Sequence, residues 1–157
     1  MKLINLSGRI GGIAKVNSED YELVSGYTWW ADRKNTTTYA YTQIRRNSKV
    51  KTIRMHQLIA GFSHPDHING DGLDNRRSNL RQASRCQQAW NTIGRPGRYK
   101  GVTFQNRLRK NPWQARIAHN GHQIHLGYFS TSSLAAMAYN SAAIRLFGEF
   151  ACINHIR

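Results

Sequence analysis

The segment Pro65-Asp66-His67-Ile68-Asn69-Gly70-Asp71-Gly72-Leu73-Asp74-Asn75-Arg76-Arg77-Ser78-Asn79-Leu80-Arg81 constrains the fold more than any other part of the chain. Asn69-Gly70 marks a tight turn, and Asp74 can cap a single helical turn. Leu80 to Ala83 can return as a short strand. Ser84-Arg85-Cys86-Gln87 then fits a Ser-x-x-Gln capping box, which predicts a helix starting there. Gln88 and Asn91 lie three apart and share a face of that helix. The order is strand, loop, strand, helix, over about residues 64–92.

The flanking sequence is rich in strands. The run 38–45 is β-branched and aromatic, Asn47-Ser48 makes a turn, and 50–55 alternates apolar with polar, as a half-buried hairpin does. Trp29 and Trp30 at a strand start belong to a core. His56 to Gly61 reads as a short helix ended by glycine. Beyond the motif, Tyr99 to Phe104, Trp113 to Ala118 and Gln123 to Leu126 read as three short strands, with Asn120-Gly121 as a hairpin turn. Alternation puts Trp113, Ala115, Ile117, Ile124 and Leu126 on one face and Gln114, Arg116, Gln123 and His125 on the other. Ser132 to Phe147 reads as a helix closed by Gly148. Ala135, Tyr139, Ala142 and Leu146 repeat at helical spacing, as do Ala136, Ala143 and Phe147. The small alanines let this helix lie close against the sheet, which leaves the other sheet face exposed and polar-basic.

Charge narrows the partner. The chain of 157 residues carries 23 Lys plus Arg against 8 Asp plus Glu, a net charge of +15. Residues 1–93 contribute +7 and residues 94–157 contribute +8. Both halves therefore suit one polyanion, and a nucleic-acid backbone is the simplest. Four Trp, seven Tyr and five Phe argue for packed cores over disorder. Cys86 and Cys152 are too few for a disulfide framework and form no Cys-x-x-Cys zinc pair. No run of about 18 apolar residues supports a membrane span. The first residues show no signal peptide, so an intracellular protein is expected.

The motif DHINGDGLDNRRSNLR and the preceding MHQLIAG resemble HNH endonucleases of the phage homing type, whose catalytic unit is a ββα-metal fold. The resemblance implies a metal-dependent DNA endonuclease, cutting or nicking, working in the cytoplasm of a bacterial host cell if phage-encoded. It makes His67 the general base, Asp66 a ligand of the divalent metal, and Asn79 a structural residue whose amide holds the base-bearing loop. The chemistry suits these types. Histidine titrates near the pH where water must be deprotonated, and a carboxylate plus an amide oxygen suits Mg2+, or Mn2+ in its place. Asp66 and His67 would point oppositely in an ideal strand, so an irregular strand end is expected. The family's second metal ligand, usually Asn or His, falls on Gln88, with Asn91 as the alternative. That departure motivates a second expectation, a DNA-binding regulator with an inactive HNH module. His56 is read as a packing or phosphate-contacting residue and His64 as part of a loop.

The stretches Tyr99-Lys100-Gly101-Val102, Trp113 to Ile117, His125-Leu126-Gly127-Tyr128-Phe129 and AAMAYNSAAIRLFGEFACIN resemble the APETALA2, or ethylene-response-factor-type, DNA-binding domain. The resemblance implies a three-stranded antiparallel sheet lying in the major groove, backed by one helix. Its DNA-contacting positions fall on Lys100, Thr103, Gln105, Arg116, Ala118 and His125. Arg107, Arg109 and Lys110, in the loop before Trp113, can reach phosphates, and Arg76 and Arg77 add basic contacts in the first half.

The expected class is α+β. A β-rich segment with the ββα-metal motif (1–93) is followed by a linker (94–98) holding Gly94, Pro96 and Gly97, then by the three-stranded sheet and helix (99–157). The expected partner is double-stranded DNA, bound by a monomer or weak dimer.

Overall fold

The computed structural model describes residues 1–34, 37–95, 97–107 and 110–156. It is α+β, built from small antiparallel sheets and few helices. The chain divides into two compact units, Met1–Cys86 and Gln87–Arg157. The Trp90 ring stacks on Phe147 with centroids 4.7 Å apart, so the end of the helix that follows the motif packs on the second unit's core.

The first unit opens with an antiparallel pair, β1 (Lys2–Leu6) and β2 (Gly12–Val16), followed by the five-residue helix α1 (Tyr21–Ser25). Strands β3 (Trp30–Lys34), β4 (Thr37–Arg46) and β5 (Lys49–Arg54) form an antiparallel sheet in that order. Asn47 and Ser48 take positive φ of 47° and 61° at the β4–β5 turn, the twist that suits a two-residue hairpin loop. Helix α2 (Met55–Ala60) follows, and then β6 (Pro65–His67) pairs antiparallel with β7 (Leu80–Gln82) around a loop ending in the 3-10 turn Arg77–Asn79. Helix α3 (Arg85–Trp90) completes the ββα order.

Trp29, Met55 and Ile59 fill the first unit's core, with Val16, Val24, Ala31, Ala40 and Leu80 around them. The buried Trp29 indole N–H donates to the Val24 carbonyl at 2.9 Å. That bond removes the one polar cost of burying an indole, which otherwise contributes about 4–6 kcal/mol through the area it removes from water. Trp30 is half-buried instead and stacks on its cross-strand partner Tyr41. The β2 strand runs on to the motif: Lys15 N–H donates to Leu73 O and Asn75 N–H to Lys15 O, each at 2.8 Å. The N-terminal strand pair thus braces the loop between β6 and β7.

In the second unit, β8 (Val102–Phe104), β9 (Trp113–His119) and β10 (His122–Phe129) form an antiparallel sheet with β9 in the centre. Helix α4 (Ser132–Phe147) packs on it, its first turn capped by the Thr131 hydroxyl, which accepts from Leu134 N–H. Ala135, Ala136, Ala142 and Ala143 are all buried, so the helix backbone approaches the sheet with no bulky side chain between. Strand β10 is longer than the 123–126 expected, because a bulge between His125 and Gly127 absorbs Leu126. Leu126 stays against the core, and Tyr128 comes out beside Gln114 on the open face.

Candidate functional site

The loop between β6 and β7 is held by its own amides. The Asn79 side-chain oxygen accepts from Asn69 N–H at 3.0 Å, and its nitrogen donates to Asn69 Oδ1 at 2.9 Å and to the Asp74 carbonyl at 2.8 Å. Asp74 does not cap the 3-10 turn. Its carboxylate takes a two-point bond from Arg76 at 2.6 and 2.7 Å, and that guanidinium holds its carboxyl below the usual range. Arg77 is likewise bound to Asp20, at 2.6 Å. Both arginines expected to meet DNA are therefore also internal ties, although each keeps a substantial part of its side chain in solvent. Asn79→Ala should cost about 1–3 kcal/mol, because it leaves the buried Asp74 carbonyl and the part-buried Asn69 N–H without that partner. Chemical denaturation of the full chain measures the loss, and an unchanged midpoint would contradict the bridging role.

His67 ends β6, and its side chain faces α2 and β4. Its ring lies 4.7 Å from that of His56, almost perpendicular, and 5.8 Å from Tyr39. It is 4% exposed. Its Nε2 lies 3.2 Å from Asn75 Oδ1. The Asn75 nitrogen donates to the Leu73 carbonyl and to Met55 Sδ, so its oxygen is the acceptor. The proton of a neutral His67 is therefore on Nε2, and Nδ1 is the basic nitrogen. Burial lowers the His67 pKa, against the Asn75 bond and the charges of Asp66, Asp71 and Asp74, which raise it. Burial also brings His56 down to about 3, so both imidazoles are neutral at pH 7. Residue spacing does not single out Asn75. Its only signal in the sequence is chemical: a buried neutral imidazole needs an acceptor for its N–H, and an amide in the adjoining loop can supply one.

Asp66 pairs with Arg81 across the two strands, its carboxylate 3.4 Å from the guanidinium, with both side chains mostly buried. The register Pro65↔Gln82, Asp66↔Arg81, His67↔Leu80 is regular. The irregular strand end expected from the motif is absent here, and strand alternation sends the two side chains apart. They remain close enough for the Asp66 charge to favour protonated His67. The Asp66 carboxylate is an oxygen donor of the kind a hard divalent ion takes, and the Arg81 guanidinium now occupies that side of it. Arg54 lines the same side of the unit, its guanidinium 5.0 Å from the Tyr39 ring and 5.6 Å from that of Tyr41.

Gln88 is half-buried on α3 and Asn91 is buried just past its end, both in the second unit. In that unit the open sheet face presents Thr103, Gln114, Arg116, Ala118, Gln123, His125 and Tyr128. Arg107 and Lys110 are exposed, and Arg109 lies outside the described residues. Lys100 is engaged elsewhere: its ammonium donates to the carbonyls of Trp90 and Thr92 at 2.6 and 2.7 Å, and burial lowers its pKa. Among the described residues no helix is long and apolar enough to cross a membrane.

Comparison with known proteins matches both halves of this picture. Over 147 residues, 93% of the chain, it is 29% identical to an uncharacterized HNH endonuclease of Acanthamoeba polyphaga mimivirus, of which it covers 76%. Over 60 residues it is 43% identical to APETALA2-like protein 2 of Oryza sativa subsp. japonica. Over 58 residues it is 41% identical to an AP2-like ethylene-responsive transcription factor of Arabidopsis thaliana. The chain spans only 13% and 12% of those two plant proteins, and the matches cover its C-terminal part. No family model and no solved structure matches it. The chain is thus similar to an HNH endonuclease along most of its length and to APETALA2-type proteins over its second unit.

Proposed function

We propose that the protein is a metal-dependent DNA endonuclease of the HNH homing type, with His67 as general base and the open sheet of the second unit docking in the major groove. The observation that carries this reading is the setting of His67: a neutral imidazole at the end of β6, its Nε2–H directed to Asn75 and its lone pair on Nδ1. Such a ring can take a proton from water at neutral pH. Asn75 fixes the ring's orientation and tautomer, and as the proton arrives the Asp71 and Asp74 charges stabilise the imidazolium. Asp66 would hold a divalent cation, which supplies Lewis-acid polarisation of the phosphate and charge stabilisation at the leaving oxygen. Arg81, the present partner of Asp66, has a charge that suits a phosphate once the cation is bound. The basic residues of both units would hold the DNA backbone, with binding that weakens steeply as salt rises.

The experiment is incubation of supercoiled plasmid with the full chain and Mg2+, with EDTA as the control. Relaxed or linear product should form with the metal and disappear with the chelator. Product that survives EDTA would remove the metal from the proposal. A second reading, a DNA-binding regulator whose first unit is catalytically inactive, draws on Gln88 in place of Asn or His and on the 4% exposure of His67. Titration with Mn2+ separates the two, since the regulator should show no site that Asp66→Ala removes. The same titration on Gln88→Ala and Asn91→Ala identifies the second ligand.

A further inference from the structure

The open face of the second unit's sheet carries a hydrogen-bonded plate of side chains centred on Gln114. The Gln105 amide nitrogen donates to Gln114 Oε1 at 3.0 Å. The Gln114 amide nitrogen in turn donates to Tyr128 Oη at 3.3 Å and approaches His125 Nδ1 at 3.2 Å. An amide nitrogen can only donate, so His125 Nδ1 accepts and the ring's proton sits on Nε2. The His125 and Tyr128 rings also touch, with centroids 4.7 Å apart. Directly across from His125, on β9, stands Arg116, exposed like His125 itself. The Arg116 guanidinium and the His125 Nε2–H, two donor heads, thus stand at directly paired positions of the two strands, on a face whose other side chains are polar apart from Ala118.

We infer that Gln114 is a positioning residue for base recognition, whose amide holds His125 as a donor beside Arg116 so that the pair selects a guanine in the major groove. The inference rests on the sheet-docking reading above. Both N–H groups of Gln114 are spent on its neighbours, so Gln114 acts through His125. Guanine is the base whose major-groove edge offers two acceptors, N7 and O6, and adjacent donors match that pattern. Ordering the plate before contact also lowers the entropy lost on binding, because Gln105, Gln114 and His125 already share bonds.

The test is selection of preferred sites from random duplex DNA by the full chain, followed by affinity measurements on single-base variants of the selected site. Wild type should prefer guanine at one position about ten- to hundred-fold over other bases. Gln114→Glu keeps an acceptor for Gln105 but loses both donors to His125 and Tyr128. Gln114→Glu, Gln114→Ala and His125→Ala should each reduce the preference at that same position to a few-fold. The double variant Gln114→Ala/His125→Ala should lose little more than either single one, as expected for residues acting as a unit. Circular dichroism confirms that each variant is folded. If His125→Ala erases the guanine preference while both Gln114 variants keep it, the positioning role is wrong. If Gln114 variants change preference only at another position, or at a base other than guanine, the assignment is equally overturned. A wild-type chain that selects no sequence would instead sink the sheet-docking reading itself.

Discussion

His67→Ala should abolish metal-dependent plasmid cleavage, lowering the rate by about 10²–10⁴-fold, the usual contribution of a positioned general base, while duplex binding persists. The alanine also leaves Asn75 Oδ1 without its imidazole partner, which costs stability. His67→Gln answers that complication, since its amide can still donate toward Asn75 but has no basic nitrogen. Both variants should lose cleavage, and Gln should recover more of the stability. Cutting by either at the wild-type rate would rule out His67 as the base. The pH dependence carries the same assignment. Burial lowers the His67 pKa below the ordinary value near 6.5. The base is then neutral and competent at pH 7, and its activity is lost as pH falls through that lowered pKa. The acid limb of the rate profile should therefore lie below pH 6.5 in wild type, and an acid limb above 6.5 would contradict the buried setting of the ring.

What is legible in the sequence follows from local rules. The helix 132–147 can be read because its small and aromatic residues recur on one stripe, and the packed face is that stripe. The faces of β9 can be read because alternation is a property of the strand alone. The β6–β7 pair and the helix after it follow signals that lie within a few residues of one another. Most of the unread features depend on contacts between segments that nothing local announces. Nothing near Trp90 announces that its ring lies on Phe147. Nothing in Leu73-Asp74-Asn75 says that β2 will run beside it, or that Asn75 will meet His67 and Met55. The alternation that places Gln114 and His125 on one face cannot place Tyr128 there, because a bulge shifts the register between them. The candidate site is thus half local and half tertiary. The resemblance to HNH endonucleases points to His67 and Asp66 as the proposed base and carboxylate, while Asn75, the group that orients His67, is brought to it by folding.

Gly101→Ala should cost the second unit about 3–5 kcal/mol, the larger part from packing. Gly101 sits at φ +75°, where an L side chain costs about 1–2 kcal/mol. A Cβ there would also overlap the Tyr139 ring and lie 2.5 Å from the Arg116 carbonyl. Tyr139 is buried between α4 and the sheet, and burial raises its phenol to about 12, so the ring has no solvent to retreat into. The Arg116 carbonyl belongs to the central strand, and Arg116 N–H already donates to Gly101 O at 2.8 Å. Relief therefore requires moving helix or strand, an overpacking cost of about 1–3 kcal/mol or more. Gly121 supplies the control, with φ +79° and nothing within 4 Å of the point where an alanine methyl would stand. Gly121→Ala should show the backbone cost alone. In calorimetry of the full chain, Gly101→Ala should lower the second unit's melting temperature by about 15 °C or more, and Gly121→Ala by about 5–10 °C. Equal shifts would mean that α4 does not press on β8 and β9 as closely as the four buried alanines allow. Because Gly101 anchors the strand that carries Arg116, the same variant should also blunt duplex binding at temperatures where the wild-type sheet is intact, linking the helix's close packing to the face proposed to meet DNA.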